Sequence, residues 1–294
     1  MPTLSILLLC WNQERYLEQC IASLAAQTSR DFEVVFLDNA SADSSFERAS
    51  RLFRDHGIDA RLLRNERPEG ISRNCNRLVA ASTGELVVPL AADDWFAPRY
   101  VEAMTEAAAG DPDAGWFYPS GWLYWDEEHR LEEVDSSGFL KGDLSAALLR
   151  GETPFLFIGC CYRRSAVQSV GGWDENQLIE DRDMFVRLSL EFPVHFVDER
   201  LAYYRRSKSA ASAEPEFMVR GWERFYPKHR ALFGRTYKAQ LAEMYRSQAA
   251  VALDRGRLGF AAKLLAKSFV LRPLQPATYR TLLYLFRRAA RDGR

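Results

Sequence analysis

Through the first hundred residues, short apolar runs alternate with segments whose apolar positions recur every three or four residues. Leu4–Leu9 reads as a buried strand, Glu14–Gln27 as a helix, Phe32–Leu37 as a strand and Ser44–Asp55 as a helix. Ala60–Leu63 (strand), Ser72–Ser82 (helix) and Glu85–Leu90 (strand) continue the series. Such an order implies right-handed crossovers and a largely parallel sheet covered on both faces. The expected class is therefore α/β and Rossmann-like, with a mixed, mainly parallel central sheet. Ligands of open sheets bind beyond the carboxyl ends of the strands, which directs attention to Cys10–Asn12, Asp38–Ser41, Asn65–Gly70 and Ala91–Asp94.

From Gly115 to Arg206 the pattern is less regular. Aromatic-rich strands are expected at Trp116–Tyr118, Trp122–Trp125 and Phe155–Tyr162, and a helix at Asp181–Glu191. Ser207–Pro215 is small and polar and reads as a linker. Three helices are expected after it, Ala239–Arg255, Leu258–Leu271 and Pro276–Arg291, the first two forming a tetratricopeptide-type hairpin around Gly256. The expected division is a body over 1–206, a linker over 207–218 and a helical extension over 219–294.

Composition changes this picture little until charge is counted by part. Hydrophobic residues make up 47% and charged ones 27%, which excludes a disordered or fibrous chain. The net charge of −1 is a cancellation, because residues 219–294 hold 17 Lys+Arg against 4 Asp+Glu and residues 1–218 hold 22 against 36. An acidic body carries a basic extension, a pattern that fits an anionic surface as partner or docking of one part on the other. Five cysteines without metal-type spacing, and no signal peptide or long apolar run, point to reduced thiols and a cytoplasmic location.

The strand ends carry the candidate chemistry. Trp11 is placed to stack on a nucleobase, and Asp38 to accept a base N–H, although an acid at a strand end is more often a helix cap or turn former. Asp93 and Asp94 directly follow an apolar run, where a hard divalent cation is held between carboxylate and pyrophosphate oxygens; the alternative is a capped turn. Asp181 opens an amphipathic helix with Glu180 and Asp183 in the same turn. That crowding of like charge favours a proton-accepting carboxylate, the alternative being a helix cap.

Taken in order, Ser5-Ile6-Leu7-Leu8-Leu9-Cys10-Trp11-Asn12, Asp38-Asn39-Ala40-Ser41, Ala91-Ala92-Asp93-Asp94 and Glu180-Asp181 resemble the motifs of the family 2 glycosyltransferases of GT-A fold. Gly70-Ile71-Ser72 with Asn76, Thr83-Gly84-Glu85 and Val170-Gly171-Gly172-Trp173-Asp174-Glu175 are similar too, so the resemblance covers roughly residues 3–206. It implies a donor-binding half over 1–110 and an acceptor and catalytic half over 111–206. It also implies transfer, with inversion, of a sugar from a nucleoside diphosphate-sugar, UDP-sugars being favoured. Cys10, Trp11, Asn12, Glu14, Asp38, Asn65, Asn76, Asp93 and Asp94 are the expected donor set. Asp93 would hold Mn²⁺ or Mg²⁺, Asp181 would act as base beside Glu180, and Trp173 and Asp174 would meet the acceptor.

Four departures from the family pattern stand out: Ala91 replaces the first acid of the Asp-X-Asp turn, with Asp94 the residue that could compensate, Leu9 replaces a Pro, Cys75 replaces an Arg before Asn76, and a late His is missing from Tyr204-Arg205-Arg206-Ser207-Lys208. Arg205 or Lys208 is expected to reach the diphosphate from a mobile loop. Trp116, Tyr118, Trp122, Tyr124, Trp125 and Trp173 supply aromatic faces for an acceptor sugar, most of them being expected in the core. In the extension, Arg280, Arg287, Arg288, Arg291 and Arg294 accompany Leu282, Leu283, Leu285 and Phe286, a basic amphipathic helix suited to peripheral contact with an anionic membrane. No aromatic-interleaved basic motif points to nucleic acid. The acceptor class is a glycan or glycolipid; a polyprenyl-phosphate sugar synthase and a non-catalytic sugar-nucleotide or glycan-binding protein are the alternatives.

Overall fold

The structure is a computed structural model that describes residues 3–152, 155–207 and 214–292, with side chains described as far as Tyr284. It divides into two compact units. The first comprises Met1–Leu148, Glu152–Glu175 and Glu180–Ser207, the second Leu149–Gly151, Asn176–Ile179 and Lys208–Arg294.

The first unit opens with β1 (Leu4–Cys10), a 3-10 turn at Glu14–Tyr16, α1 (Leu17–Ala25), β2 (Phe32–Asp38), α2 (Ser45–Asp55), β3 (Ala60–Arg64), α3 (Ile71–Ala81) and β4 (Leu86–Ala91). It continues through β5 (Trp95–Phe96), α4 (Tyr100–Gly110), β6 (Trp116–Trp125), β7 (Arg130–Glu133), α5 (Ser145–Leu149), β8 (Cys161–Arg163), α6 (Arg164–Ser169), α7 (Glu180–Ser189) and β9 (Val194–Arg206). The nine strands among the described residues form one sheet in the order β3-β2-β1-β4-β8-β6-β9-β5, with β7 on β6. β1 pairs in parallel with both β2 and β4, and β6 with β9, whereas β8 runs against β4 and β6. The sheet is thus mixed and mainly parallel.

Burial explains the strand sequences. Leu4, Ile6, Leu8 and Cys10 join α1, α2 and α4 in one core, while α3 packs on β1 and β2 from the other face. A strand covered on both faces reads as a continuous apolar run rather than an alternation. Pro89 is tolerated in β4 because Leu86 N and Ala92 N face β1, so alternate N–H groups, and the Pro89 nitrogen, face the other way. There β8 pairs only with Leu86 and Val87, and no ladder bond is lost.

The Thr83-Gly84-Glu85 motif lies at the amino end of the strands and is a brace. Glu33 accepts from Ser5 Oγ at 2.6 Å, Thr83 N at 2.5 Å and Gly84 N at 3.2 Å. A Cβ on Gly84 would meet the Ser5 backbone at 2.9 Å.

The irregular middle of the chain differs most from its expected elements. Trp116–Tyr118 and Trp122–Trp125 belong to one strand, β6, which carries Pro119 through a bulge. β9 was not expected, because Asp198-Glu199-Arg200 interrupts its apolar pattern. Its register shows why the strand survives: Pro119 pairs with Val197 and Ser120 with Arg200, so Asp198 and Glu199 are left out of the ladder. Only Cys161–Arg163 of the Phe155–Tyr162 region is strand. All five cysteines are buried free thiols.

The second unit holds α8 (Pro215–Lys228), α9 (Arg230–Phe233), α10 (Tyr237–Asp254), α11 (Leu258–Leu271) and α12 (Pro276–Asp292). Helix α8 starts within the stretch expected as linker, with Pro215 at its first turn where a missing N–H is harmless; residues 208–213 lie outside the described part. The hairpin of α10 and α11 turns at Gly256, φ +73°, and buries Ala249, Ala252 and Ala261 between the helices. Leu285, Phe286, Arg287, Arg288, Arg291 and Arg294 lie outside the described side chains.

Gly121 is the point where β6 and β9 approach too closely for any side chain, since a Cβ there would stand 2.1 Å from the Ala202 carbonyl oxygen. Gly121→Ala is expected to destabilise the protein by about 1–3 kcal/mol or more through forced strand separation. Chemical denaturation checks it, and an unchanged midpoint would contradict the close approach.

Candidate active site

β3, β2, β1, β4, β6 and β9 all run in one direction, so Arg64, Asp38, Cys10, Ala91, Trp125 and Arg206 end at one edge of the sheet. The loops leaving β1 and β2 are strained there. Asn12 and Ala40 have φ of +53° and +55°, a conformation that Asn tolerates and Ala rarely adopts. The two loops hold each other: Asn12 N donates to Ser41 Oγ at 2.9 Å and Ala42 N to Asn12 Oδ1 at 2.7 Å.

The expected donor residues fall into two groups. Trp11 is 54% exposed, so its ring is open to a ligand. Asp38 is buried; its Oδ2 accepts from Ser41 N at 3.1 Å and pairs with Arg64 at 3.3 Å, while Oδ1 has no partner. A buried acceptor left over in this way is chemically suited to an N–H donor. Asp93 is half-buried beyond β4 and hydrogen-bonds Gln13, a contact the sequence did not signal.

The other members brace the edge. Cys10 is fully buried, and burial pushes its thiol up to about 12, so it offers no side chain to a ligand. Glu14 N donates to Asp43 at 3.2 Å and the Glu14 carboxylate accepts from Ser44 N at 3.3 Å. Asn65 donates to Asn39 Oδ1 at 2.7 Å and Asn74 Oδ1 at 2.8 Å and accepts from Arg77. Asn76 binds the main chain of Trp173 in both directions, each at 2.8 Å. Gly171 and Gly172, with φ of +81° and +73°, let that main chain approach: a Cβ on Gly172 would stand 2.8 Å from Asn76 Oδ1. Asp94 is buried and accepts from Arg205 N at 2.8 Å, so it turns away from the edge instead of standing in for the acid missing at Ala91.

Two groups at this edge were missed or misplaced by the sequence. Arg205 lies in β9 rather than in a mobile loop and is only 7% exposed, its guanidinium bound to the Asp93 carbonyl, Asp126 and Gln19. Asp126 carries no motif. It follows β6 and meets Arg205 because Tyr124 pairs with Arg205 and Trp125 with Arg206 across the ladder. Lys208 lies outside the described residues.

Glu180 and Asp181 open α7 and are half-buried. Burial and the Asp181 charge push Glu180 above the usual carboxylate range, and burial pushes Asp181 the same way although Arg182 N donates to it at 2.6 Å. Asp183 is not part of this pair. It is fully buried and bound to Arg187 at 2.8 Å, so the crowding comes from Glu180 alone. Cys75, where the family pattern has Arg, lies buried within reach of both charges. Burial, Asp94 and Asp181 together raise the Tyr204 phenol, which places both acids within electrostatic range of one ring.

On the acceptor side Trp173 is 4% exposed and packs edge-on against Tyr162, so its ring has no open face; Asp174 is half-buried beside it. Trp116 and Tyr118 are core residues. Trp122, Tyr203 and Trp95 instead form a stack with ring separations of 4.4 and 4.8 Å, and Trp122, Tyr124 and Trp125 remain partly exposed.

The sequence model of glycosyl transferase family 2 matches residues 5–171, more than half of the chain. Among curated relatives, a putative glycosyltransferase of Bacillus subtilis, EpsH, is 29% identical over 113 residues, 38% of this chain and 32% of its own length. An uncharacterized glycosyltransferase of Nostoc is 26% identical over 72% of this chain and 69% of its own. The O-antigen biosynthesis protein RfbC of Myxococcus xanthus is 29% identical over 68% of this chain and 15% of its own. Among solved structures, TarS 1–349 of S. aureus with UDP-GlcNAc superposes with a TM-score of 0.60 at 16% identity, covering 98% of this chain and 81% of that one. The mannosyltransferase PcManGT of Pyrobaculum calidifontis with GDP-Man and Mn²⁺ gives 0.62 at 16% identity, covering 99% and 87%. At such identities the likeness establishes the fold. The chain belongs to glycosyl transferase family 2 and is a glycosyltransferase of GT-A fold.

Proposed function

We propose that the protein transfers a sugar, with inversion, from a nucleoside diphosphate-sugar to a hydroxyl of a glycan or glycolipid acceptor, with Asp181 as general base. The observation that supports this reading is the common carboxyl end of the parallel strands, which gathers the exposed Trp11, Asp38 and the Asp93 turn, together with the Glu180–Asp181 pair at the start of α7. Trp11 stacks on the base and Asp38 Oδ1 accepts from it; a UDP-sugar is the favoured donor. The Asp181 carboxylate takes the acceptor hydroxyl proton as the new C–O bond forms at the anomeric carbon. The bond to the diphosphate breaks on the opposite face, and the nucleoside diphosphate leaves with the electron pair.

The residues at the β4 end fit a cation shared with substrate. Ala91 offers a methyl group, Asp94 is committed to Arg205, and no cluster of three or more His, Cys, Asp or Glu suited to a metal exists among the described residues. Asp93 alone therefore suits Mn²⁺ or Mg²⁺ bound mainly through diphosphate oxygens, as hard cations with one or two protein carboxylates are. Such a cation, when bound, supplies charge stabilisation for the leaving diphosphate. Mn²⁺ is expected to bind tightly only with nucleotide present, and Asp93→Ala to remove that nucleotide-dependent binding; calorimetry with and without UDP checks both.

Asp181→Asn is expected to lower kcat by about 10²–10⁴ while nucleotide binding stays within two-fold. Full activity in that variant places the base elsewhere. Because burial raises the pair, Asp181 keeps its proton to higher pH than an ordinary carboxyl, so activity should rise with pH above the normal carboxylate range. The Asp181 shift comes from burial and not from Glu180, so Glu180→Gln should leave the midpoint of that rise nearly in place, as a kcat/KM profile would show.

No helix among the described residues is long and apolar enough to cross a membrane. The second unit nevertheless exposes Val270 (80%), Leu274 (86%) and Leu283 near Arg272 and Arg280. This supports peripheral contact with an anionic bilayer that holds a lipid-linked acceptor. Salt-sensitive binding to phosphatidylglycerol vesicles, lost on deletion of residues 273–294, is the expected result; unchanged binding would refute it.

A further inference from the structure

Arg205 is committed on every side. Its Nε donates to the Asp93 carbonyl at 2.9 Å, Nη1 to Asp126 Oδ1 at 2.5 Å and Nη2 to Gln19 Oε1 at 2.6 Å. The guanidinium carbon lies 4.4 Å from the Tyr16 ring centre, 4.8 Å from that of Tyr124 and 5.0 Å from that of Trp95. Asp126 is itself set by the Tyr16 hydroxyl, which donates to its Oδ2 at 2.9 Å. The main-chain N of Arg205 donates to Asp94 Oδ1 at 2.8 Å, while its side chain holds the main-chain carbonyl of Asp93, whose carboxylate hydrogen-bonds Gln13.

A guanidinium placed in this way cannot extend to a diphosphate without giving up three hydrogen bonds and three ring faces. We propose that Arg205 is a positioning residue, held by Asp126, Gln19 and Tyr16, that fixes the main chain of Asp93 through its carbonyl and so the direction from which its carboxylate meets the shared cation. This rests on the role of Asp93 given above. The demand on aim is high because Ala91 leaves one carboxylate where the family pattern has two, and an outer-shell partner that fixes the orientation of a ligand is commonly worth 10–100-fold in metal affinity.

The test compares wild type with Arg205→Met, Arg205→Lys and Asp126→Asn. Mn²⁺ binding is read from the free-ion EPR signal at saturating UDP, UDP binding in EDTA by calorimetry, and folding by circular dichroism. Lysine keeps the charge but cannot serve three acceptors in one plane. Both Arg205 variants should bind UDP in EDTA within about two-fold of wild type, while Mn²⁺ affinity at saturating UDP falls about ten-fold or more. Asp126→Asn should cause a smaller loss that vanishes in the Arg205→Met background, because it acts through the same guanidinium. Removing a buried charge partner is costly. If Arg205→Met does not fold, Arg205→Lys and Asp126→Asn decide by the same two readings.

Folded variants with Mn²⁺ affinity within two-fold of wild type overturn the proposal. A parallel loss of UDP affinity in EDTA also overturns it, since Arg205 would then touch the diphosphate itself. Wild-type protein without UDP-dependent Mn²⁺ binding refutes the role of Asp93 first, and the positioning role with it.

Discussion

β1 is paired in parallel on both of its edges and covered on both of its faces, and the location of the candidate groups at the ends of β1, β2 and β4 follows from that constraint. A strand enclosed on four sides has no room for an unpaired charge within its length. Its polar residues are confined to where the chain leaves the sheet, and the parallel direction brings those exits to one edge. Asp38 is the last residue of β2 and Asp93 lies just beyond β4, at the carboxyl ends of the two neighbours of β1. The bulged pairing of β6 with β9 extends the same alignment and adds Asp126 and Arg205 to the edge.

The groups at this edge divide by what their polar atoms already do. Trp11 is exposed, Asp38 Oδ1 has no partner, and Asp93 and the Glu180–Asp181 pair are half-buried, the groups to which the proposed function assigns ligand contact. Asn12, Glu14, Asn39, Asn65, Asn74, Asn76 and Arg205 are bound to neighbours and hold the first group in place. Satisfied buried polar networks are rigid because breaking any one bond strands its partner in a low-dielectric interior. The asparagine net joining β2, β3 and α3 and the guanidinium clamp joining β4, β6 and β9 are two such devices.

Charge behaves differently in the second unit. Its cations are numerous, yet Arg255 and Arg257 meet Glu214 and Glu216, Lys267 meets Glu223 and Arg246 meets Glu243. Exposed pairs of this sort contribute little stability, but they lower the field that a sum over residues 219–294 suggests. What an anionic surface would meet is the remainder, beside the apolar residues at the turn between α11 and α12.

By itself the sequence determined the βαβ series through β4, the C-terminal hairpin and the ordered acids from Asp38 to Asp181, because each is written in local periodicity or in short contiguous motifs. The same locality set its limits. Trp173 and Asn76 sit in recognisable motifs, but only the folded chain shows that they bind each other. Asp94 looked equivalent to Asp93 until the turn pointed it at Arg205. β9 was hidden because Asp198 and Glu199 break its pattern, and a bulge that removes two residues from a ladder is legible only when the partner strand is known. The meeting of Asp126 with Arg205, 79 positions apart, was decided by tertiary structure alone. Pairing across such a separation depends on strand register, and register is a property of two segments rather than of either one.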